Sequence, residues 1–220
     1  MKKDESEGVV KYAALHEYGE VETLVRAQPL AVREAAETAL RGFPELDTAR
    51  TALHDAGLIG VTAAGIGYGN ISLRLTETLF LISGSGTGAA RVLGKEGYAL
   101  VRECDPEANT VRSFGPVQAS SEAMTHWAVY RAVPAARCVI HIHSPRLFEA
   151  LLAKGHPHTP ASAAYGTPAL SHAVSRLAAT LPPNQGVFVT AGHADGVFAY
   201  AEAVASALDL ILTLKEKEHV

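Results

Sequence analysis

Two histidines, His141 and His143, stand one residue apart in an otherwise apolar run and are the side chains best suited to chemistry. The run is rich in β-branched residues, which predicts a strand. Residues i and i+2 of a strand point to one face, with Cα atoms roughly 6.6 Å apart. Imidazole nitrogens about 2.0–2.1 Å from one tetrahedral zinc ion lie roughly 3.4 Å apart, which two converging rings can reach. Ile142 would then point into the core, and the pair suits a metal site. Polar histidines on a solvated strand would give the same pattern.

A metal site needs a third ligand, and His193 in "VTAGHADGV" is the best candidate. The segment predicts a tight turn between two apolar strands, where functional groups are commonly displayed. His156 and His158 form a second pair of alternating histidines. The proline between them and the glycine before them favour an exposed loop instead.

Glu122 follows two serines at the start of a predicted helix, "SSEAMTHWAVYRAV". We expect a hydroxyl cap with Glu122 in the first turn, where a carboxylate is favourable. Capping alone would explain the residue. Ser120, Ser121 and the free N–H groups would also form an anion site. The segments "GNIS" at 69–72 and "SGSG" at 83–86 offer further small donors, although each alone is more often a turn.

Predicted helices and strands alternate along the chain around these residues. The pattern predicts helices over 20–58, then a Gly-rich stretch and several strands. Ser144 as N-cap and Pro145 predict a helix directly after the His141–His143 strand. Two short strands flank His193, and a final helix runs from about residue 202 to 217. The class is therefore α/β or α+β in one domain.

The charge, the apolar runs and the cysteines of the chain indicate which partners and which compartment to expect. The 220 residues carry a formal charge of −4 with scattered lysines and arginines, so we expect no nucleic-acid partner. No apolar run approaches the roughly 18 residues of a membrane span, and "MKKDESEGVV" lacks the apolar region of a signal peptide. Cys104 and Cys138 form no disulfide scaffold. We expect a soluble cytoplasmic protein without a membrane partner.

Six segments, in this order, resemble the class II aldolase/adducin family, specifically its fuculose-phosphate-aldolase-like branch. They are "GNIS", "LISGSG", "SSEAMTH", "VIHIHS", "YGTPAL" and "TAGHADGVFAYAEAVASAL". The likeness covers roughly residues 50–215. It implies a single-domain three-layer α/β/α fold with a central mixed, largely antiparallel sheet. Residues 1–45 would be an N-terminal helical extension packed on the domain 46–220.

The resemblance also implies a site. His141, His143 and His193 match the ligands of Zn²⁺, with Mn²⁺ or another divalent metal as the alternative, and Glu122 matches the acid/base residue. The positions that match the holder of a substrate phosphate are Asn70, Ser85, Gly86, Ser120 and Ser121. His126 matches a family histidine for which we expect packing or support of the site.

The implied reaction is retro-aldol cleavage of a ketose phosphate through a metal-stabilised enediolate, by a homotetramer acting on a sugar phosphate or related aldehyde or ketone. A sugar-phosphate 4-epimerase and a methylthioribulose-phosphate-type dehydratase are alternatives on the same scaffold, and a non-enzymatic adducin-like interaction module is another.

Two departures bear on the site. The family's third histidine stands directly before a glycine, which in ungapped register is Asp195; we prefer His193 with a two-residue insertion. A tyrosine that assists proton transfer in the fuculose enzyme is absent, with Ser162 nearest in register.

Overall fold

The computed structural model describes residues 12–218, so "MKKDESEGVV", on which the absence of a signal peptide was predicted, lies outside the described residues. Eleven strands are present in this part of the chain. In chain order they are β1 (Ala13–Tyr18), β2 (Gly60–Val61), β3 (Gly67–Tyr68), β4 (Asn70–Arg74), β5 (Phe80–Ser83), β6 (Tyr98–Asp105), β7 (Thr110–Gly115), β8 (Cys138–His143), β9 (His158–Thr159), β10 (Gln185–Thr190) and β11 (Gly196–Ala201).

Seven α-helices accompany them within residues 12–218. They are α1 (Val21–Arg26), α2 (Leu30–Leu40), α3 (Phe43–Asp55), α4 (Ala123–Ala132), α5 (Pro145–Ala153), α6 (Pro168–Ala178) and α7 (Val204–Lys217). A short 3₁₀ turn spans Lys95–Gly97. None of the helices between residues 12 and 218 is long and apolar enough to cross a membrane.

Nine strands form one sheet in the order β1-β7-β6-β5-β4-β8-β11-β10-β9. The β1–β7 and β9–β10 pairs are parallel and the other pairs are antiparallel. Strands β2 and β3 form a separate hairpin. This confirms the predicted mixed, largely antiparallel sheet.

Each face of the sheet buries its own core, which makes three layers. One core joins side chains of α3, α5 and α7 to Ile140 and Ile142 of β8. The other joins α4 and α6 to Val139 and Phe198. Because side chains alternate along β8, Val139, His141 and His143 share the second face, as predicted. Cys104 and Cys138 are buried and not disulfide-bonded.

The first 45 residues contain α1 and α2, as expected for a helical extension, but they also contain β1. This strand lies beside β7 at the edge of the sheet, with Ala13 opposite Thr110. The described part of this segment, residues 12–45, is thus helical only in part, because it also contributes one strand to the central sheet. A domain boundary at residue 45 stays a prediction.

Candidate metal centre

Three imidazoles meet at one end of the sheet, His141 and His143 from β8 and His193 from the turn between β10 and β11. The ring centroids of His141 and His143 are 4.8 Å apart, and that of His193 lies 5.1 and 4.8 Å from them. One nitrogen of each ring lies within 4.8 Å of the others. Tetrahedral zinc requires roughly 3.4 Å, so the three nitrogens would have to move closer together to share one ion. Within residues 12–218 no other group of three His, Cys, Asp or Glu side chains is so placed.

The turn that carries His193 is fixed by backbone contacts. The His193 N–H donates to the Thr190 carbonyl at 2.8 Å, and the Gly196 N–H donates to the His193 carbonyl at 3.2 Å. A Cβ added to Gly192 would stand 2.0 Å from the carbonyl oxygen of Ala163. Only glycine allows so close a backbone approach. The buried His193 ring therefore lies on a tight turn that packs against the loop containing Ala163.

His141 is held from both adjacent strands. Asn70 stands directly opposite it on β4, and Phe198 stands directly opposite on β11. The Phe198 ring stacks on the imidazole with centroids 4.3 Å apart and an interplanar angle of 8°. The Asn70 Nδ2 lies 3.4 Å from His141 Nδ1. This side chain therefore has little room to turn.

Burial keeps the two strand histidines uncharged. Together with the neighbouring imidazoles of His143 and His193, it holds the pKa of His141 well below its usual value. Burial and then His193 lower the pKa of His143 to about 3, against the opposing effect of the Glu122 carboxylate. A neutral imidazole has a free lone pair, which is the form that binds a metal ion.

Glu122 lies beside this cluster. Its Oε1 is 3.0 Å from His193 Nδ1, and its Oε2 accepts a hydrogen bond of 2.5 Å from Thr125 Oγ1. Our prediction that Glu122 lies in the first helical turn behind a hydroxyl cap is wrong. Helix α4 begins at Ala123, Glu122 occupies the N-cap position, and no side chain caps the helix. The carboxylate faces the imidazoles instead, so the buried acid is within reach of a ligand held there.

Four of the predicted phosphate-binding residues lie on two neighbouring loops, Ser85 and Gly86 on one and Ser120 and Ser121 on the other, whereas Asn70 begins strand β4. The Ser85 N–H donates to the Gln118 carbonyl at 2.8 Å, and Gly84 forms a bridge with Ala119. The loop after β5 is therefore joined to the loop that carries the two serines before Glu122.

These five residues differ in exposure. Asn70 and Ser120 are buried, Ser85 and Ser121 are half-buried, and Gly86 is exposed. The Ser120 hydroxyl also accepts a long hydrogen bond of 3.4 Å from the Glu122 N–H. Polar groups thus extend from the imidazole cluster to the surface, which suits a phosphorylated ligand. Binding of phosphate by these five residues stays a prediction.

The remaining histidines singled out from the sequence lie outside the cluster. His126 is fully buried, its Nδ1 is 2.7 Å from the Ser72 hydroxyl, and its ring packs edge-on against Phe198. Burial lowers the pKa of His126 to about 3. His158 is exposed, and its Nδ1 lies 2.9 Å from the carbonyl oxygen of His156.

The sequence model of the class II aldolase and adducin N-terminal domain matches residues 52–217. The chain belongs to this family.

Solved structures of aldolases share the fold. L-fuculose-1-phosphate aldolase from Thermus thermophilus is 25% identical, with a TM-score of 0.54, covering 79% of this chain and 89% of its own. A sugar-phosphate aldolase from Thermotoga maritima is 18% identical, with a TM-score of 0.59, covering 86% and 94%. YgbL from Klebsiella pneumoniae, for which aldolase, epimerase and decarboxylase are named as alternatives, is 18% identical, with a TM-score of 0.59, covering 86% and 88%. No curated protein is significantly similar in sequence.

His193 and Asp195, the two candidates for the third metal ligand, differ in where they lie. His193 lies in the imidazole cluster, whereas Asp195 does not belong to that group. Asp195 has a positive φ of 64°, and its backbone carbonyl accepts a hydrogen bond of 3.1 Å from the Ser144 N–H. His193, and not Asp195, is thus the side chain that the fold brings to the other two imidazoles, and its match to the family's third histidine stays a prediction.

Sequence reasoning missed two side chains at this family site. Tyr165 packs its buried ring 4.4 Å from that of His193, whereas Ser162 is exposed. Tyr165 stood within the quoted motif "YGTPAL" but had no role assigned. Thr125 supports the Glu122 carboxylate, and its i, i+3 spacing could have indicated this contact.

Proposed function

We propose that this family member is a metal-dependent aldolase, a carbon–carbon lyase that cleaves a ketose phosphate by retro-aldol chemistry. The observation that carries the proposal is the cluster of His141, His143 and His193 with the Glu122 carboxylate 3.0 Å from His193. The solved structures that share the fold include an L-fuculose-1-phosphate aldolase and a sugar-phosphate aldolase, which supports a sugar phosphate as the substrate. An interaction module would have no use for a buried acid beside three imidazoles.

The three histidines would hold Zn²⁺, with Mn²⁺ or another divalent metal as the alternative. Their donor set fits, because His141 and His143 are neutral and His141 Nε2 has no hydrogen-bond partner among the described residues. A bound divalent ion would supply Lewis-acid stabilisation for the negative charge of an enediolate.

Side chains and backbone groups of the protein would transfer the proton and bind the phosphate. Cleavage breaks the bond between the third and fourth substrate carbons. The hydroxyl on the fourth carbon loses its proton as that carbon becomes an aldehyde, and the third carbon, left with the electron pair, takes up a proton. Glu122 would give or take that proton, since it is buried and anchored by Thr125. Asn70, Ser85, Gly86, Ser120 and Ser121 would hold the phosphate, so that binding at the remote end orients the reacting end.

We also propose a homotetramer located in the cytoplasm. The assembly rests on the family resemblance, and the location rests on the two unpaired cysteines. Light scattering coupled to size-exclusion chromatography would measure the assembly.

The test combines metal analysis of the purified protein with a screen of ketose 1-phosphates for release of dihydroxyacetone phosphate. We expect a stoichiometric divalent metal and cleavage of at least one substrate. Glu122→Gln should lower kcat by about 10²–10⁴-fold, because it removes the acid/base group but keeps its shape. Glu149→Gln, an exposed change on α5, is the matched control.

Three outcomes would contradict the proposal. Equal cleavage by wild type and Glu122→Gln would remove Glu122 from the reaction. Interconversion of 4-epimers without release of dihydroxyacetone phosphate would indicate the epimerase, and loss of water from the substrate would indicate the dehydratase.

A further inference from the structure

Asn70 and His141 form a buried pair across the β4–β8 ladder. They are direct partners in register and are 4% and 1% exposed. Asn70 Nδ2 lies 3.4 Å from His141 Nδ1. On the other side of the ring the stacked Phe198 offers no hydrogen-bonding group. Among the described side chains, Asn70 is therefore the one that hydrogen-bonds to this imidazole.

The two nitrogens of His141 have different surroundings. Nδ1 faces the amide of Asn70, whereas Nε2 is buried and has no hydrogen-bond partner among residues 12–218. A neutral imidazole that gives the Nε2 lone pair to a cation carries its proton on Nδ1. That N–H needs an acceptor, because an unsatisfied buried donor is costly.

The amide of Asn70 can supply the acceptor. Its Oδ1 is also buried without a hydrogen-bond partner in the described part of the chain. A half-turn about the Cβ–Cγ bond exchanges Nδ2 and Oδ1 with little change in shape. Oδ1 then accepts from His141 Nδ1, so the amide oxygen gains the partner that it lacks and the imidazole N–H has an acceptor.

We propose that Asn70 is a positioning residue that fixes the tautomer and orientation of His141 by accepting its Nδ1–H. This rests on the metal site of the proposed function and adds to it. With Oδ1 committed to His141, both N–H bonds of the amide point away from the ring and would need an acceptor, which a bound substrate oxygen would supply. One side chain then serves a metal ligand and the substrate, which accounts for asparagine at this position.

The proposal predicts how strongly each variant binds Zn²⁺ alone, measured by competition with a chromophoric chelator. Asn70→Leu, which has similar size but no acceptor, should weaken binding about 10–100-fold, as is typical for loss of such a partner. Asn70→Asp retains an acceptor and should stay within a few-fold of wild type. Ser72→Ala is the matched control, because Ser72 lies two residues along β4 and bonds His126 and Tyr130 but not His141.

Two further measurements separate positioning from a general loss of structure. Long-range ¹H–¹⁵N spectra of zinc-loaded wild type and Asn70→Asp should show His141 protonated at Nδ1 and bound through Nε2. Once a substrate is known, Asn70→Asp should raise KM more than it lowers kcat, because a carboxylate has no N–H to donate.

The failures are distinguishable. If wild type binds zinc and Asn70→Leu binds it equally well, or if His141 binds through Nδ1, the role of Asn70 is wrong while the metal site stands. If wild type binds neither Zn²⁺ nor Mn²⁺, the proposed function fails and this inference fails with it. Should Asn70→Leu not fold, the wild-type spectra still decide the protonated nitrogen.

Discussion

At the scale of single residues, the buried carboxylate of Glu122 is held by few groups. Thr125 donates to one oxygen, and the other lies near His193. A buried charge with few donors is sensitive to the loss of any one of them. Thr125 therefore matters to the site even though it is not expected to touch substrate.

Thr125→Val tests this contact. Removing a hydrogen bond to a charged group costs about 1.5–3 kcal/mol, so kcat should fall roughly tenfold or more if Glu122 is the acid/base group. Thr159→Val is the matched control, because Thr159 is equally buried and its hydroxyl has no hydrogen-bond partner among residues 12–218. Kinetics and urea unfolding on both variants provide the measurement. An unchanged kcat in Thr125→Val would show that the contact is dispensable.

At the scale of elements, the site depends on strand β8 and on the turn between β10 and β11. Strand β8 places two imidazoles on one face because side chains alternate. The turn brings the third imidazole to them through the antiparallel β8–β11 pairing, in which Gly196 lies opposite His143. The cluster therefore forms only if the turn keeps its shape.

Gly192→Ala should deform this turn. The new Cβ would meet the Ala163 carbonyl oxygen at 2.0 Å, so the backbone must shift. We expect a loss of about 1–3 kcal/mol in the free energy of unfolding. Zinc affinity should fall roughly tenfold or more, since Zn–N bonds of about 2.0–2.1 Å tolerate little displacement of His193.

Gly67→Ala is the control for this change, because its Cβ would have its nearest neighbour at 3.9 Å. Unfolding curves and zinc competition assays on the two variants decide the matter. Equal zinc affinity in Gly192→Ala and wild type would mean that the turn accommodates the methyl group without moving His193.

At the scale of the whole molecule, the sheet buries neutral histidines between its layers. The pKa values of His126 and His143 are lowered to about 3, and the pKa of His141 also lies well below its usual value. These groups stay neutral in the fold while the unfolded chain takes up protons below pH about 6.5. The unfolded state then binds more protons, so stability is lost as pH falls from about 6.5 toward 3.

His126→Gln should reduce this pH dependence. One titrating group contributes about 1.4 kcal/mol per pH unit where only the unfolded state is protonated. The free energy of unfolding of the chelator-treated variant should therefore fall with pH less steeply than that of wild type, by about that amount, between roughly pH 4 and 5.5. Above about pH 7.5 His126 is neutral in both the folded and the unfolded state. The free energies of unfolding of variant and wild type should then depend on pH with the same slope, which is the internal control. Parallel curves at acidic pH would show that His126 does not stay neutral in the fold.

Much of the site could be predicted from local sequence. Alternation in "VIHIH" placed His141 and His143 on one face, and the turn residues around His193 displayed that side chain at a strand end. The start of α4 was wrong by one residue, because Glu122 directs its carboxylate to the imidazoles instead of to a helical turn. The strand β1 was missed because its partner, β7, lies almost a hundred residues away.

The sequence by itself determined which side chains are available and on which face of each strand they lie, since both follow from residue type and a period of two. Tertiary structure decided which of them meet. The pairing of β8 with β4 and β11 brings Asn70 and Phe198 to His141, and packing against Ala163 sets the turn of His193. Such contacts join residues far apart in the chain, so they are fixed by sheet register and layer packing rather than by local propensity.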